Sequence, residues 1–393
     1  MASAVSFFPV EETSKLAALM NCEADIQTLL DAQNYDEVYL KFAKNSGALL
    51  DAVPPKDLEK VYNLLIAIVS QAKQDDLPDL VPSIINPIVS SSAENAQQKL
   101  KVLSNLYNSL ESTSHIRYTV FLAIIQLAAQ SNELDVLVPT LPQLESFFPV
   151  WGVELDESRR MILLLSEVLG NDDEFLNQSY EYLIKYLKTY PQSKNAYPRQ
   201  VQDTAVKAVK QALRLPAVTN FSDLYALGPV VSLKGTNADL MALVEIFVSG
   251  DVKAYRAFTK KHPSFAKDNG FDDAALLKKI RLLTLASTAC GVSANDGKSE
   301  LLFSTVSAAL EVDNVDVEEW IVNGIRSGLI DGRINQVNKL VVISRATHRV
   351  FGEKQWDLLS DRLSTWGDNL KDLLQVIQNA KQAAANQQQQ QQQ

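Results

Sequence analysis

The sequence is poor in the residues that carry most protein chemistry. It has two cysteines, Cys22 and Cys290, and three histidines, His115, His262 and His348, in 393 residues. Two distant cysteines make neither a disulfide framework nor a zinc site, which points to a reducing compartment. The histidines are scattered, and neither HExxH nor a His-x-His pair followed by an acidic ligand occurs, so zinc-dependent hydrolysis has no ligand set. No GxSxG turn is present to expose a nucleophilic serine. Basic charge is short as well: 37 Lys and Arg against 47 Asp and Glu leave a net charge of −10. That argues against a general nucleic-acid coat, because neutralising phosphates takes surplus cations. Long apolar runs are missing. The longest lies around 61–69, well short of the ~20 residues that span a bilayer. The N-terminus MASAVSFFPVEE has no basic stretch leading into an apolar one, hence no secretory signal. The glycosylation sequons at Asn177 and Asn220 are then chance matches. These absences predict a cytoplasmic protein that is not an enzyme, with no catalytic residue, no metal, no cofactor and no membrane contact.

What is present is apolar residues at helical spacing. Hydrophobic residues make up 46% and charged ones 21%, the proportions of a globular chain with enough apolar surface to offset its entropy. Its 393 residues also exceed the ~250–300 that one core holds. In KLKVLSNLYNSL, residues Leu103, Leu106, Tyr107 and Leu110 fall at i, i+3, i+4 and i+7 and line one face. LDESRRMILLLSEVLGN reads as a complete helix. Asp156 is placed to cap its start, Met161, Leu164, Leu165 and Val168 form its apolar face, and Gly170 stands where a C-terminal cap belongs. Further helices are expected over 57–73, 115–130, 173–190 and 199–214. All 14 prolines lie at or before Pro263, with groups at Pro54–Pro55, Pro78 to Pro87 and Pro139 to Pro149. Proline breaks helix interiors. The groups should therefore punctuate the first two hundred residues into units of one or two helices, stacked as a degenerate helical-repeat solenoid.

The texture changes from about residue 216. FSDLYALGPVVSLKG reads as a connection. NADLMALVEIFVSGDVKAYRAFTKKH then makes a helix–turn–helix, with Leu240, Leu243, Val244 and Phe247 on one stripe, Gly250 closing the first helix and Asp251 opening the second, whose face carries Val252, Tyr255 and Phe258. Two more helical runs, ELLFSTVSAAL and VDVEEWIVNGIRSGL, precede IDGRINQVNKLVVISR, the only stretch that reads as strand. Two helices followed by one hairpin is the order of a winged helix, here near 299–346. The rest, 352–385, reads as one long helix. In it Trp356, Leu359, Leu363, Trp366, Leu370, Leu373 and Ile377 are spaced 3, 4, 3, 4, 3 and 4, an uninterrupted heptad seam. It decays into AAANQQQQQQQ, which has nothing apolar to bury. The expected fold class is all-α. A helical-repeat region covers 1–200, a second module with the winged helix covers 201–350, a bundling helix covers 351–385, and a disordered glutamine-rich tail covers 386–393.

Three stretches invite a functional reading. CGVSANDGKSE resembles a phosphate-cradling loop, but five residues separate Gly291 from Gly297 where the motif requires four, and RLLTLASTAC before it looks helical rather than like a strand. A plain interhelical loop is the better reading. Arg326, Arg333, Lys339, Arg345, His348 and Arg349 lie in a span whose only acidic residue is Asp331. Such a patch fits a nucleic-acid groove or an acidic protein partner. The acidic run Asp313, Asp316, Glu318 and Glu319 just before it, and the lack of an Asn/Gln/Arg cluster on the recognition helix, favour the protein partner. The heptad seam is the third. An amphipathic stripe usually packs on its own domain, but two tryptophans and a strict 3.5-residue period point to packing between chains, with Trp356, Leu359, Leu363, Trp366, Leu370, Leu373 and Ile377 as the interface.

Helical repeats, a winged helix and a long C-terminal helix, in that order, resemble the PCI module shared by subunits of the proteasome lid, the COP9 signalosome and translation initiation factor 3. Within that group KLVVISRATHRVFGEKQWDLLSDRLSTW (339–366) resembles the m-type subunits of initiation factor 3, and KVLSNLYNSL (101–110) and KKIRLLTLAS (278–287) are similar to the same family. The likeness spans most of the chain and is most specific over 341–366; the glutamine tail lies outside it. It implies a PCI module, a helical bundle plus winged helix, in a non-catalytic scaffold subunit. The implied partners are other initiation factor 3 subunits of PCI and MPN type and, through the complex, the small ribosomal subunit during mRNA recruitment, with a weak RNA contact as a further expectation. The alternative is a COP9 signalosome or proteasome-lid subunit, or an RNA-binding winged-helix adaptor.

Overall fold

In the computed structural model the described residues are 10–92, 94–192, 197–294, 300–350 and 352–390. Their contacts divide the chain into two units, Met1–Tyr186 and Leu187–Gln393.

The first unit is helical throughout its described residues. Among its helices are α1 (Pro55–Val69), α2 (Leu77–Ser90), α3 (Ala96–Ser109), α4 (Ile116–Ser131), the short α5 (Leu144–Val150) and α6 (Leu155–Leu169). Helix α3 packs on α1 and on α4, and α4 packs on α2 and α6. Each apolar face that one helix cannot bury alone is covered by neighbours close in sequence, as in a solenoid. Helix α4 is covered from several sides and is accordingly apolar almost all round, burying Ile116, Tyr118, Val120, Phe121, Ile124, Ile125 and Leu127.

Two details depart from the sequence reading. Pro82 and Pro87 lie inside α2 instead of separating helices. Pro87 has no N–H for the Ser83 carbonyl one turn back, and that carbonyl accepts a bond from the Ser46 hydroxyl at 3.4 Å. The cap of α6 is Glu154, not Asp156. Glu154 and Glu157 form a reciprocal capping box, in which the Glu154 N–H donates to Glu157 Oε2 at 3.1 Å. Asp156 already sits in the first turn, paired with Arg159 at 3.0 Å. Of the predicted apolar face of α6, Met161, Leu165 and Val168 are buried and Leu164 is half-buried, while Ile162 and Leu169 are buried beside them.

The second unit begins its regular structure with α7 (Arg199–Arg214). The segment read as a connection is packed structure. It holds α8 (Ser222–Tyr225), a turn of helix at Gly228–Val231 and a 3₁₀ turn at Ser232–Lys234, and it buries Phe221, Leu224, Val230 and Leu233. Phe221, Leu224, Leu227, Val230 and Leu233 recur every third residue, the period of a 3₁₀ turn, so short helical turns bury them on one side. Helices α9 (Ala238–Ser249) and α10 (Val252–Lys261) follow, and Asp251 caps α10 by accepting from the Ala254 N–H at 3.0 Å. Helix α11 (Asp273–Ala294) carries a buried lysine, Lys279, whose ammonium donates to the carbonyls of Ala212 and Leu215 at 2.5 and 2.6 Å. These close the end of α7, and the Phe221 ring lies 4.8 Å from the charge. Burial pushes the Lys279 pKa down to about 7.

The winged helix consists of the end of α11, β1 (Glu300–Leu302), α12 (Phe303–Leu310), α13 (Val317–Arg326), β2 (Ile330–Asn335) and β3 (Leu340–Ala346). Its sheet is antiparallel in the order β1-β3-β2, with Leu301 and Ile334 both opposite Val341. Strand β1 is a correction: residues 300–302 read as the start of a helix, yet the helix begins at Phe303. A bulge falls between Asp331 and Gly332, and a Cβ at Gly332 would stand 2.6 Å from the Val342 carbonyl, so only glycine fits. Leu285 and Ala289 of α11, Leu301, Phe303, Val306 and Leu310, Val317 and Ile321, Ile330, Val341 and Ile343 share one core.

The chain ends in α14 (Glu353–Gln390). It runs past the point where the sequence reading ended the helix at 385 and began a disordered tail. Alanine and glutamine are good helix formers, and nothing between 378 and 390 breaks the helix. The end of the tail, 391–393, lies outside the described residues.

Candidate partner interface

Helix α14 starts cleanly: the Gln355 side chain accepts from the Gly352 N–H at 3.0 Å, satisfying one of the free donors of the first turn. Beyond that root the seam stands open. Trp356 is 60% and Trp366 71% exposed, and Leu359, Leu363, Leu370, Leu373 and Ile377 are exposed with them. From Leu363 to Ile377 every seam residue is more than half exposed. A row of apolar side chains of this size facing water marks an interaction surface. Leu374 and Val376, which the heptad reading passed over, are exposed beside it and widen the stripe at its far end. Their signal was in the sequence, since they immediately flank the seam positions Leu373 and Ile377 on opposite sides.

The basic residues are less well gathered. Arg326, at the end of α13, and Arg333, Lys339 and His348 are exposed. Lys339 sits in the hairpin turn with a left-handed backbone, φ +49°. Arg345 stands opposite Asp331 and pairs with it at 2.9 Å. Arg333 faces Val342, and on the other side of Val342 lies Glu300 of β1, so the outward row of the sheet runs from arginine through valine to glutamate. Glu318 accepts from Gln336 at the wing turn, 2.8 Å away. Glu300, which sequence proximity did not bring to the patch, thus stands within it, together with Glu318 of the acidic run.

Arg349 leaves the patch altogether. Its guanidinium turns inward: Nε donates to the Leu283 carbonyl at 2.8 Å, Nη1 to the Gly250 carbonyl and Nη2 to the Thr284 hydroxyl at 3.1 Å. Burial lowers its pKa to about 10, with the Asp251 carboxylate acting in the opposite direction. The spacing of basic residues carries no information on which way one of them points.

The remaining candidates separate as well. Gly291 belongs to helix α11, which excludes the strand-to-loop entry a phosphate loop needs, while Gly297, Lys298 and Ser299 lie outside the described residues. His115 pairs with Glu157 at 3.0 Å, and His262 follows the last turn of α10 with Asp239 at 3.9 Å. Among the described residues no group of three or more His, Cys, Asp or Glu side chains converges on a metal position, and no helix is long and apolar enough to cross a membrane.

Comparison with known proteins bears on the winged helix and α14 directly. The PCI domain family matches residues 259–345, and a family described as the C-terminal helix of eIF3 subunit M matches residues 349–377, which contain the exposed seam. Three proteins named eukaryotic translation initiation factor 3 subunit M align along most of the chain. That of Phaeosphaeria nodorum is 34% identical over 92% of this chain and 82% of its own length. That of Dictyostelium discoideum is 30% identical over 91% and 88%. That of Emericella nidulans is 34% identical over 90% and 79%. With this coverage at both ends of each alignment, and with the seam and the winged helix each matched separately, the chain belongs to the eukaryotic translation initiation factor 3 subunit M family.

Proposed function

We propose that the protein is a non-catalytic scaffold subunit of initiation factor 3, acting in the cytoplasm, and that it is held in the complex by its C-terminal helix. The observation that carries this reading is the seam from Trp356 to Ile377, exposed along its whole length within the stretch that matches the family's C-terminal helix. Helices of PCI- and MPN-type subunits would bury it in a multi-subunit bundle, where each apolar side chain removed from water contributes roughly 1.5–3 kcal/mol. The winged helix adds a second contact through its sheet edge, β1 being an outer strand. Small-subunit and mRNA recruitment follow from membership of the complex. The test is the pair Leu363→Asp and Leu370→Asp, introduced together. The doubly substituted chain should keep its helicity and melting temperature and fail to co-purify with the other subunits. Normal incorporation refutes the reading.

A second reading assigns RNA contact to the hairpin. Arg326, Arg333 and Lys339 are exposed and support it, but Glu300, Glu318 and the Asp331–Arg345 pair dilute their field. A protein partner is the better match for such mixed charge.

A further inference from the structure

Helix α10 and the turn after it carry charge of one sign. Between Val252 and Lys267 stand Lys253, Arg256, Lys260, Lys261 and Lys267, and no Asp or Glu. Lys253, Arg256 and Lys260 fall at i, i+3 and i+7 and share one helix face, with Lys261 at its border. Arg256 is taken by Glu311 at 2.7 Å. The four lysines are exposed, and among the described residues none of them enters an ion pair. Cations in a last turn complement the helix dipole, which accounts for Lys260 and Lys261. It does not account for Lys253, in the first turn where the dipole opposes a cation, nor for Lys267, past the end of α10. Carboxylates border this block without entering it. Asp251 is occupied as the cap of α10, Asp239 lies 3.9 Å from His262 Nδ1, and Asp268 follows Lys267.

Beside the cationic face runs a short ladder of rings. His262 stacks on Phe258 with centroids 5.0 Å and planes 29° apart, and Phe265 meets Phe258 edge-on at 5.4 Å. Phe258 lies three residues before Lys261, so the ladder adjoins the lysines. Phe258 and Phe265 are half-buried, and His262 keeps 37% of its side chain open to solvent. The turn that carries Phe265 is fixed from behind: Phe271 lies 6.4 Å from the Phe265 ring, and Arg214 of α7 donates to the Asn269 carbonyl at 2.9 Å. The rings are therefore set in advance, and a ligand need not order them. We propose that this face of α10 binds single-stranded RNA, with phosphates on Lys253, Lys260, Lys261 and Lys267 and a base continuing the Phe258–His262 stack. Unpaired cations beside open rings are what an unpaired strand needs, because every base has a face to stack. A duplex keeps its bases stacked on one another and has no use for the rings. An acidic protein would satisfy the lysines alone. The hairpin differs in having Glu300, Glu318 and Asp331 among its cations. The site is independent of the α14 seam.

The experiment titrates the full-length chain into a fluorescent oligouridine of about twelve nucleotides, read by anisotropy between about 50 and 200 mM salt. Lys253→Gln, Lys260→Gln and Lys261→Gln, introduced together at exposed positions, should lower affinity at least about tenfold at the low-salt end. They should also reduce the slope of log affinity against log salt by about two, at ~0.7 per phosphate of a single strand. Arginine at the same three positions should restore both. His262→Ala should weaken binding about fivefold and leave the slope unchanged, while His262→Tyr, which keeps a ring, should bind as the unaltered chain does. Circular dichroism checks that each variant is folded; should His262→Ala fail, the exposed lysines and the comparison with a duplex carry the test. Four results overturn the proposal: no binding of oligouridine by the unaltered chain, unchanged affinity in the triple glutamine variant or in folded His262→Ala, tighter binding of an RNA duplex of the same length, or equal affinity for a polyglutamate peptide. The last would give this face to an acidic protein.

Discussion

Met161, Leu165 and Val168 of α6 and Leu363, Trp366 and Leu370 of α14 are stripes of the same kind, apolar residues every three or four positions on a helix. The first stripe is buried among neighbouring helices of the first unit, and the second faces water. Periodicity reports that a face needs covering; what covers it is decided by the rest of the chain. In α6 the cover comes from the same unit, so the stripe contributes to folding. In α14 the side chains from Leu363 to Ile377 stay exposed, and on the proposed reading that stripe contributes to assembly.

The widest separation between the two should come from one substitution in each. Leu165→Asp puts a carboxylate into a fully buried site and should cost about 4 kcal/mol or more, lowering the melting temperature steeply in circular dichroism. Leu370→Asp should leave the same melting curve within ~0.5 kcal/mol. Equal losses would mean that α14 covers its own chain after all. The next effect concerns the anchor within the open stripe. Trp366→Ala should weaken binding to the partner subunits by about 2 kcal/mol, near thirtyfold, with no change in stability, as read by titration calorimetry.

A third test uses pH. The α14 stripe has no buried ionisable group, whereas the unit from which it springs holds Lys279. That lysine has a folded pKa of about 7 against an ordinary 10.5, so between these values the unfolded chain binds more protons than the folded one. Stability should rise as pH increases from 7 toward 10, and the burial penalty should be fully present below 7. Lys279→Met should flatten that slope, while seam substitutions should leave it intact; thermal melts at several pH values decide. The smallest effect is reserved for the hairpin. Reversing Arg326, Arg333 and Lys339 should lower the slope of RNA binding against log salt by about two if they touch single-stranded phosphates, and by nothing if they serve a protein.

Most helices and the whole seam were legible because periods of 3.6 and 3.5 survive in any tertiary setting. What escaped was what tertiary placement alone decides. Strand β1 is three residues long, too short to alternate, and becomes a strand by lying beside β3. Glu300 joins the basic hairpin through that same pairing, from thirty-three positions before Arg333. Arg349 looked like one more surface cation until its guanidinium was found among backbone carbonyls. Pro87 sits inside a helix although it leaves the Ser83 carbonyl without its helical N–H, and the Ser46 hydroxyl, 37 positions before Ser83, reaches that carbonyl at 3.4 Å. These four misses concern partners distant in sequence, whereas the cap at Glu154 and the extension of α14 past 385 are local.

The length of α14 has a consequence of its own. At ~1.5 Å per residue, its 38 residues extend about 57 Å, of which the seam from Trp356 to Ile377 takes only about 33 Å. The seam thus works as a ruler for whatever wraps it: partner helices of about six turns can cover it fully, and longer ones would gain no large apolar side chain beyond Ile377. Trimming the chain after Asn379 should leave assembly untouched, whereas each turn removed before Ile377 should shorten the grip by one step.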